Sequence, residues 1–569
     1  MFRPKALKPL DTQAAHRQVA ASVAELFPET ARNRAAGLTS WLIRPRLSRS
    51  TWFVVGLTAL AAIIRFSTLG LQSLWYDESW TAVEMKLGLI KLVLVDRLNE
   101  LTPPLYYVVN WGFTHVLGTG DVGVRFLSAL AGTATVPIMY WAGRELATRR
   151  VGLVTAALCA VNPILVWYSQ EARAYSLLLM LSALSLVLFA RALKQPSALR
   201  LAAWAICGAI ALTVHYFAIF LLIPEAIWLL VATRKQIPTT VLAVWVIFQT
   251  GLALLPIALH QQSVLPSGWI SQTRPLIYRL RQVAWDFFAG FHSSFEYVLG
   301  VVAICALVVA IWLAVRRSEP SERRTALIGA TLGLGALAIP TFLALVGKDY
   351  IQSRNLLEAL VAILLAVGAG LGAKRAGKLG LAAVAAVCVL SLAAVISVDT
   401  NAKFQRNNWK AVAQAIGPPA QNRAIVVSGY YGVPLQHYLP NVENLSFIGS
   451  PVTYSEQNRH WPNQPAALSR DPHTAASLRG APVSELVVIG VHGAGWPCWW
   501  GSTCDLPRDA HLSNSIPAGF QLVEERQVTV NFTVRRYRAP APIFVNSWLL
   551  APDQARGGGG DILLERGGT

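Results

Sequence analysis

Asp77 and Glu78 stand side by side in the stretch LQSLWYDESW, directly after an apolar run over residues 51–69. That run is long enough for a membrane-spanning helix, so the acidic pair is expected where the helix leaves the bilayer. A carboxylate in that place suits proton abstraction from a nucleophile at the membrane surface. A short acidic loop that only solvates a helix end is the plain alternative. The topology derived below gathers further polar residues at the same level: Arg65, Arg125, Glu171, Arg173, His215, Arg274, Lys348 and Arg354. Ionisable groups at a membrane are costly and tend to mark functional cavities. Acids and cations together suit one task, in which a carboxylate activates a nucleophile while cations hold a phosphate-bearing leaving group. Snorkelling explains Arg65, Arg125 and Lys348 equally well, and His215 reads first as a polar interface residue. Aromatic residues nearby (Trp75, Tyr76, Trp80, Tyr106, Tyr107, Trp167, Tyr168, Tyr175) fit an interfacial belt as readily as sugar stacking.

Composition sets the frame for these residues. Of 569 residues, 54% are hydrophobic and 14% charged, with a mean hydropathy of +0.45. That is the signature of a polytopic membrane protein. The formal net charge of +19 falls in short clusters between apolar runs instead of along one face, which excludes a nucleic-acid partner. Cys159, Cys207, Cys305 and Cys388 lie inside apolar runs and read as small core residues. Cys498 and Cys504, in WPCWWGSTC, suit a disulfide in an oxidising compartment. Residues 1–50 carry nine Lys or Arg against three acids and read as a basic cytoplasmic tail suited to an anionic inner leaflet.

Residues 51–398 supply the spans. The run at 122–142 ends in GRELATRR, which the positive-inside rule places in the cytoplasm. Apolar runs then alternate between inner turns with basic clusters and outer turns with mixed polar motifs. The count is about eleven spans, with the N-terminus inside and the C-terminal region outside. Residues 70–121 form a large first external loop. Within it, 81–100 has the apolar spacing of one amphipathic helix lying in the interface. Pro103 and Pro104 break that helix, and 105–117 is too short to cross. Residues 399–548 read as a small extracytoplasmic α/β domain with strand-like AIVVSG and ELVVIGV and a hairpin around QLVEERQVTVNFTVRRYRA. The Gly-rich tail, 549–569, reads as disordered.

RFSTLGLQSLWYDESW, TPPLYY, VRFLSALAGTATVPIMYWAGREL and NPILVWYSQEARAY occur in this order, and the set resembles GT-C membrane glycosyltransferases related to protein O-mannosyltransferases and the lipid A aminoarabinose transferase. The resemblance covers roughly residues 51–398. It implies the GT-C fold, a polyprenyl-phosphate-linked sugar donor, inverting transfer at the outer face of the cytoplasmic (inner) membrane, and Asp77 as general base. It also draws Pro103, Pro104 and Tyr106 into the site. Thr102 stands where the O-mannosyltransferase motif has His, a departure that counts against a protein acceptor, so glycan, lipid and protein hydroxyls all stay open.

The residues support the same chemistry. Asp77 takes the acceptor proton as the anomeric carbon gains oxocarbenium character. Arg274, Lys348 and Arg354, with Arg125 nearer the acids, hold the leaving phosphate. Glu78 suits holding acceptor hydroxyls or a divalent ion, and no second acidic cluster at metal spacing makes a metal obligatory. The competing reading is a lipid or polysaccharide transporter or flippase. Transport calls for ionisable groups at mid-membrane or internal repeats, whereas these spans read as nearly uncharged.

Overall fold

The structure is a computed structural model that describes residues 48–264, 270, 274–428, 432–439, 442–444, 481–491, 516, 518–529, 532–545 and 560–565. The chain divides into compact units at 1–52 and 53–569, and the packing below is that of the second. The basic tail and the Cys498–Cys504 pair lie outside the described residues.

Each of the expected spans has a helical counterpart. Among the described residues, eight helices are long and apolar enough to cross a membrane. They are α1 (Arg49–Phe66), α5 (Asp121–Leu146), α8 (Tyr175–Lys194), α11 (Ile237–Val264), α13 (Glu296–Arg316), α14 (Pro320–Leu345), α15 (Leu357–Leu371) and α16 (Gly377–Thr400). The third span is a bent pair, α6 (Arg149–Val161) and α7 (Pro163–Ser169), and two shorter apolar helices are α9 (Ala198–Val214) and α10 (Ala218–Ala232).

The outer loop does not form one helix over 81–100. It breaks into α2 (Tyr76–Glu84) and α3 (Leu89–Asn99), followed by α4 (Leu105–Leu117). Gly88 sits at the break, and a glycine there costs helix stability that the apolar spacing alone does not reveal.

Helices α5, α8 and α15 form the buried centre, while α11 turns Leu242, Trp245 and Phe248 outward. Close approach around α15 depends on glycine. A Cβ at Gly368 would stand 2.1 Å from Thr155 Oγ1 on α6, and one at Gly370 would stand 2.2 Å from the Ala310 carbonyl oxygen on α13. Small residues of this kind let helices pack backbone to backbone in lipid.

The spans also hold more charge than their hydropathy suggests. Glu225 on α10 and Glu358 on α15 are fully buried. Glu225 accepts hydrogen bonds from Ser185 and Trp204. Neither carboxylate has any exposed surface, so neither lines an open path.

The bend between α6 and α7 measures 60°. Pro163 has no N–H with which to continue α6, and its ring suits the first turn of a new helix. Asn162 caps that turn by accepting from the Leu165 N–H at 3.2 Å, and its own Nδ2 donates to the Phe287 carbonyl at 2.8 Å. The bend delivers residues 170–174 to the end of the bundle that holds Glu78, with the Ala172 N–H 2.8 Å from Glu78 Oε1.

After the last span come α17 (Trp409–Ile416), α18 (Gly432–Tyr438) and a six-stranded sheet. Its strands are β1 (Arg423–Ser428), β2 (Val442–Asn444), β3 (Ala481–Val491), β4 (Gln521–Thr529), β5 (Phe532–Val545) and β6 (Gly560–Glu565), in the order β2-β6-β1-β3-β5-β4. Among the described residues, only β1 and β3 pair in parallel. Alternation divides β1 between two faces: Ile425 and Val427 pack with Trp409 and Phe532, while Ala424 and Val426 pack with Leu486 and Val488. The segment expected to be a disordered tail contributes β6, because Ile562, Leu563 and Leu564 pair in register with β1.

Candidate active site

Helix α2 begins straight after Trp75, whose backbone is extended. The Trp75 N–H donates to Glu78 Oε2 at 3.3 Å, satisfying one of the donors a helix start leaves open. Both acids sit in the first turn, where the helix dipole favours negative charge. Adjacent residues on a helix diverge by roughly 100°, so the two carboxylates point in different directions and do different things.

Glu78 points inward. Arg125 of α5 grips it with a fork, Nε to Oε1 at 2.6 Å and Nη2 to Oε2 at 2.6 Å. The Ala172 N–H adds a third bond at 2.8 Å. Although burial opposes ionisation, the Arg125 and Arg406 guanidinium groups hold the Glu78 carboxyl below the usual range. The rest of Arg125 is equally engaged: Nη1 donates to the carbonyls of Leu69 and Gln72, and Nη2 to that of Ser73. Arg125 therefore has all its donors committed and does not serve as a phosphate ligand. With Glu78 it ties the loop between α1 and α5 to α5.

Asp77 is half-buried. Arg354 approaches it with Nη1 3.3 Å from Oδ2, and its Nε donates to Gln352 Oε1 at 3.1 Å. Burial pushes the Asp77 carboxyl up, the charges of Arg173 and Arg354 pull it back, and Glu100 and Glu78 push it up again; the net result is a raised value. Arg173 forms a fork with Glu100, at 3.0 and 2.8 Å. Glu171 accepts from Arg406 Nη2 at 3.0 Å. Burial lifts the Glu171 carboxyl to about 7 against the pull of Arg406, and the nearby Glu78 and Asp77 raise it further.

The neighbouring loops close around this group. His215 is buried between the rings of Tyr175 and Phe217, and its Nδ1 accepts from the Phe217 N–H at 3.2 Å. Burial, with the charges of Arg173 and Arg354, lowers its pKa to about 3. His215 is therefore a neutral imidazole with its proton on Nε2, a hydrogen-bond donor and not a general base.

Pro104 starts α4, Tyr106 bonds Ser128 at 3.1 Å, and the Thr102 carbonyl beside Pro103 accepts from Gln261 at 3.3 Å. These residues hold the loop and are buried or half-buried. The segment carrying Arg354 is anchored from α12 (Leu276–Ala289): Arg279 forks onto Asp349 at 2.7 and 2.5 Å, and Ser353 donates to Asp286 at 2.5 Å. Burial lifts the Asp286 carboxyl to about 7. Arg274 and Lys348 are exposed on the flanking loops.

Arg65 stands apart from this group. It is fully buried and donates to Ser169 Oγ at 3.0 Å and to the Ala160 carbonyl at 2.9 Å. It braces α1 against the bent pair and does not face Asp77's partners. No group of three metal-ligating side chains occurs among the described residues.

Glu100, Arg279, Asp286, Asp349 and Arg406 are not singled out by the sequence. For Arg406 a signal existed, since RNNW places a cation in a polar stretch just past the last span. It reaches back to the first loop: its N–H donates to Gln72 Oε1 at 2.9 Å, Nη1 to the Gln170 carbonyl at 3.0 Å, and its guanidinium lies 4.4 Å over the Trp167 ring. Nearby, Lys410 pairs with Asp121 at 2.6 Å, and Tyr438 donates to Asp121 at 3.0 Å while accepting from the Leu74 N–H at 2.7 Å. The C-terminal domain is thus clasped to the loop that carries Asp77.

Residues 102–259 match the family described as dolichyl-phosphate-mannose-protein mannosyltransferase. No curated protein matches the chain in sequence. Among solved structures, ArnT from Cupriavidus metallidurans bound to undecaprenyl phosphate is 13% identical, over 86% of this chain and 98% of that one, with a TM-score of 0.51. The same protein in the apo state is 12% identical over the same shares, with a TM-score of 0.52. The chain has the GT-C fold, and the family match lies within it, over residues 102–259.

Proposed function

We propose that the protein moves a sugar, with inversion, from a polyprenyl-phosphate donor to a hydroxyl acceptor at the outer face of the cytoplasmic membrane, with its N-terminus cytoplasmic and its C-terminal domain outside. The observation that carries this reading is the position of Asp77. Its side chain is 21% exposed, whereas Glu78 and Glu171 have no exposure and are held by guanidinium groups. Burial raises its carboxyl, which strengthens it as a base. Asp77 takes the proton of the acceptor hydroxyl, and that oxygen bonds to the anomeric carbon as the bond from carbon to phosphate oxygen breaks. The departing electron pair stays on the phosphate. A single displacement inverts the anomeric centre.

Arg354 is best placed to hold the phosphate charge, with the exposed Lys348 and Arg274 as further cations. His215 supplies a neutral N–H. Undecaprenyl phosphate bound to the ArnT that shares this fold supports a polyprenyl phosphate carrier. The acceptor is a hydroxyl of a glycan, lipid or protein.

The test follows radiolabelled sugar from a polyprenyl-phosphate donor into membrane acceptors. Asp77→Asn keeps the shape and loses the basicity, so transfer should fall by roughly 10²- to 10⁴-fold while the protein still folds. Transfer at the parent rate would refute the assignment. Parent protein that moves lipid between leaflets without consuming it would make the protein a transporter instead.

A further inference from the structure

Among the described residues, four carboxylates at the site are matched by four guanidinium groups: Glu78 with Arg125, Glu100 with Arg173, Glu171 with Arg406, and Asp77 with Arg354. A donor phosphate adds one more anion. It must rest on the exposed Lys348 and Arg274 or draw a guanidinium away from its carboxylate.

Three of the pairs are closed to such an exchange. Glu78–Arg125 and Glu100–Arg173 are forks with contacts of 2.6 to 3.0 Å. Arg406 is also fastened to the Gln170 carbonyl and stacked on Trp167. The Asp77–Arg354 contact is longer, at 3.3 Å, beyond the 2.7–2.9 Å usual for charge-assisted bonds. Its carboxylate is the most exposed of the four, at 21%. Arg354 is held by a segment fixed elsewhere, through Arg279–Asp349, Ser353–Asp286 and a bond from Gln262 to Tyr350 at 3.1 Å. It stays in place when Asp77 lets go.

We propose that Asp77 and the phosphate of the donor compete for Arg354, so that donor arrival itself releases the base and the donor must bind before the acceptor can react. This rests on the donor reading above and adds an order of events to it. With the site empty, the ion pair keeps Asp77 from accepting a proton. With the donor seated, the guanidinium of Arg354 neutralises the phosphate, and Asp77, still near the Glu100-paired Arg173, faces the acceptor hydroxyl without an ion-pair contact to Arg354.

The probe is methyl farnesyl phosphate, a diester that keeps a single negative charge across the working pH range. Its affinity is measured in detergent for the parent, Asp77→Asn, Arg354→Ala and the double variant, with Asp77→Ala as the substitute if Asn lowers the melting temperature. Asp77→Asn should bind roughly three- to tenfold tighter, because Arg354 no longer has a competitor. Arg354→Ala should bind about tenfold weaker, and Asp77→Asn should add nothing in that background. Equal or weaker binding by Asp77→Asn overturns the competition. Tightening that survives in the Arg354→Ala background also overturns it, since the gain then comes from lost repulsion between carboxylate and phosphate. Failure of the parent to bind the diester defeats the donor reading itself.

Discussion

Glu78→Gln separates a structural carboxylate from a chemical one. In the parent, Glu78 and Arg125 are 0% and 1% exposed and joined by two 2.6 Å contacts. Removing one partner of a buried pair costs about 3–5 kcal/mol, because the other charge is left uncompensated. Gln retains one oxygen for the fork, and Arg125 keeps the carbonyls of Leu69, Gln72 and Ser73. The loss should therefore fall at the lower end, about 3 kcal/mol. Replacing both partners, as Glu78→Gln with Arg125→Met, removes the uncompensated charge and should recover part of that loss. Unfolding is followed by titration with SDS in mixed micelles, beside transfer measured at a temperature where the variant stays folded. The single variant should unfold at lower SDS and retain transfer well above that of Asp77→Asn. An unchanged unfolding midpoint with transfer reduced 10²-fold or more would make Glu78 the base and refute this reasoning.

Two further outcomes follow from the same geometry. Because the Asp77 carboxyl is raised above that of an ordinary aspartate and must be ionised to accept a proton, transfer should fall as pH drops through that raised value. That acid limb should vanish from the residual activity of Asp77→Asn, and an identical limb in both proteins would assign it to another group. Arg406→Ala leaves Glu171 buried without its cation, which should destabilise the protein and speed amide exchange in residues 70–75 and the 170–174 loop. Unchanged exchange there would mean that the clasp does not hold the loop.

The spans were legible because each is a long apolar run and basic clusters mark alternate turns, signals that depend on local composition alone. The position of Asp77 was legible for the same reason, since it follows the first run directly. What the sequence cannot carry is partner choice. Arg125 and Arg354 both read as cations at the outer level, yet one is saturated by Glu78 and three carbonyls while the other meets Asp77 from 277 residues away. Glu100 lay within a stretch that read as a surface helix, yet it forks with Arg173. Glu225 and Glu358 were masked by the apolar residues around them. DILLE was overlooked because the glycines before it dominate the composition of the tail, although its three consecutive apolar residues are strand-like.

The clasp between Arg406 and the first external loop also has a consequence in time. Gln72 and Arg406 are 334 residues apart in the chain. At synthesis rates of about 5–20 residues per second, Arg406 emerges on the order of 15–70 s after Gln72 and, 235 residues after Glu171, about 12–47 s after that carboxylate. Until then Glu171 is a buried carboxylate without its counter-ion, and the loop carrying Asp77 lacks its outer fastening. A nascent chain arrested before residue 406 therefore lacks the cation that pairs with Glu171. The last span and the segment after it therefore complete the contacts of Gln72, Gln170 and Glu171 late in synthesis.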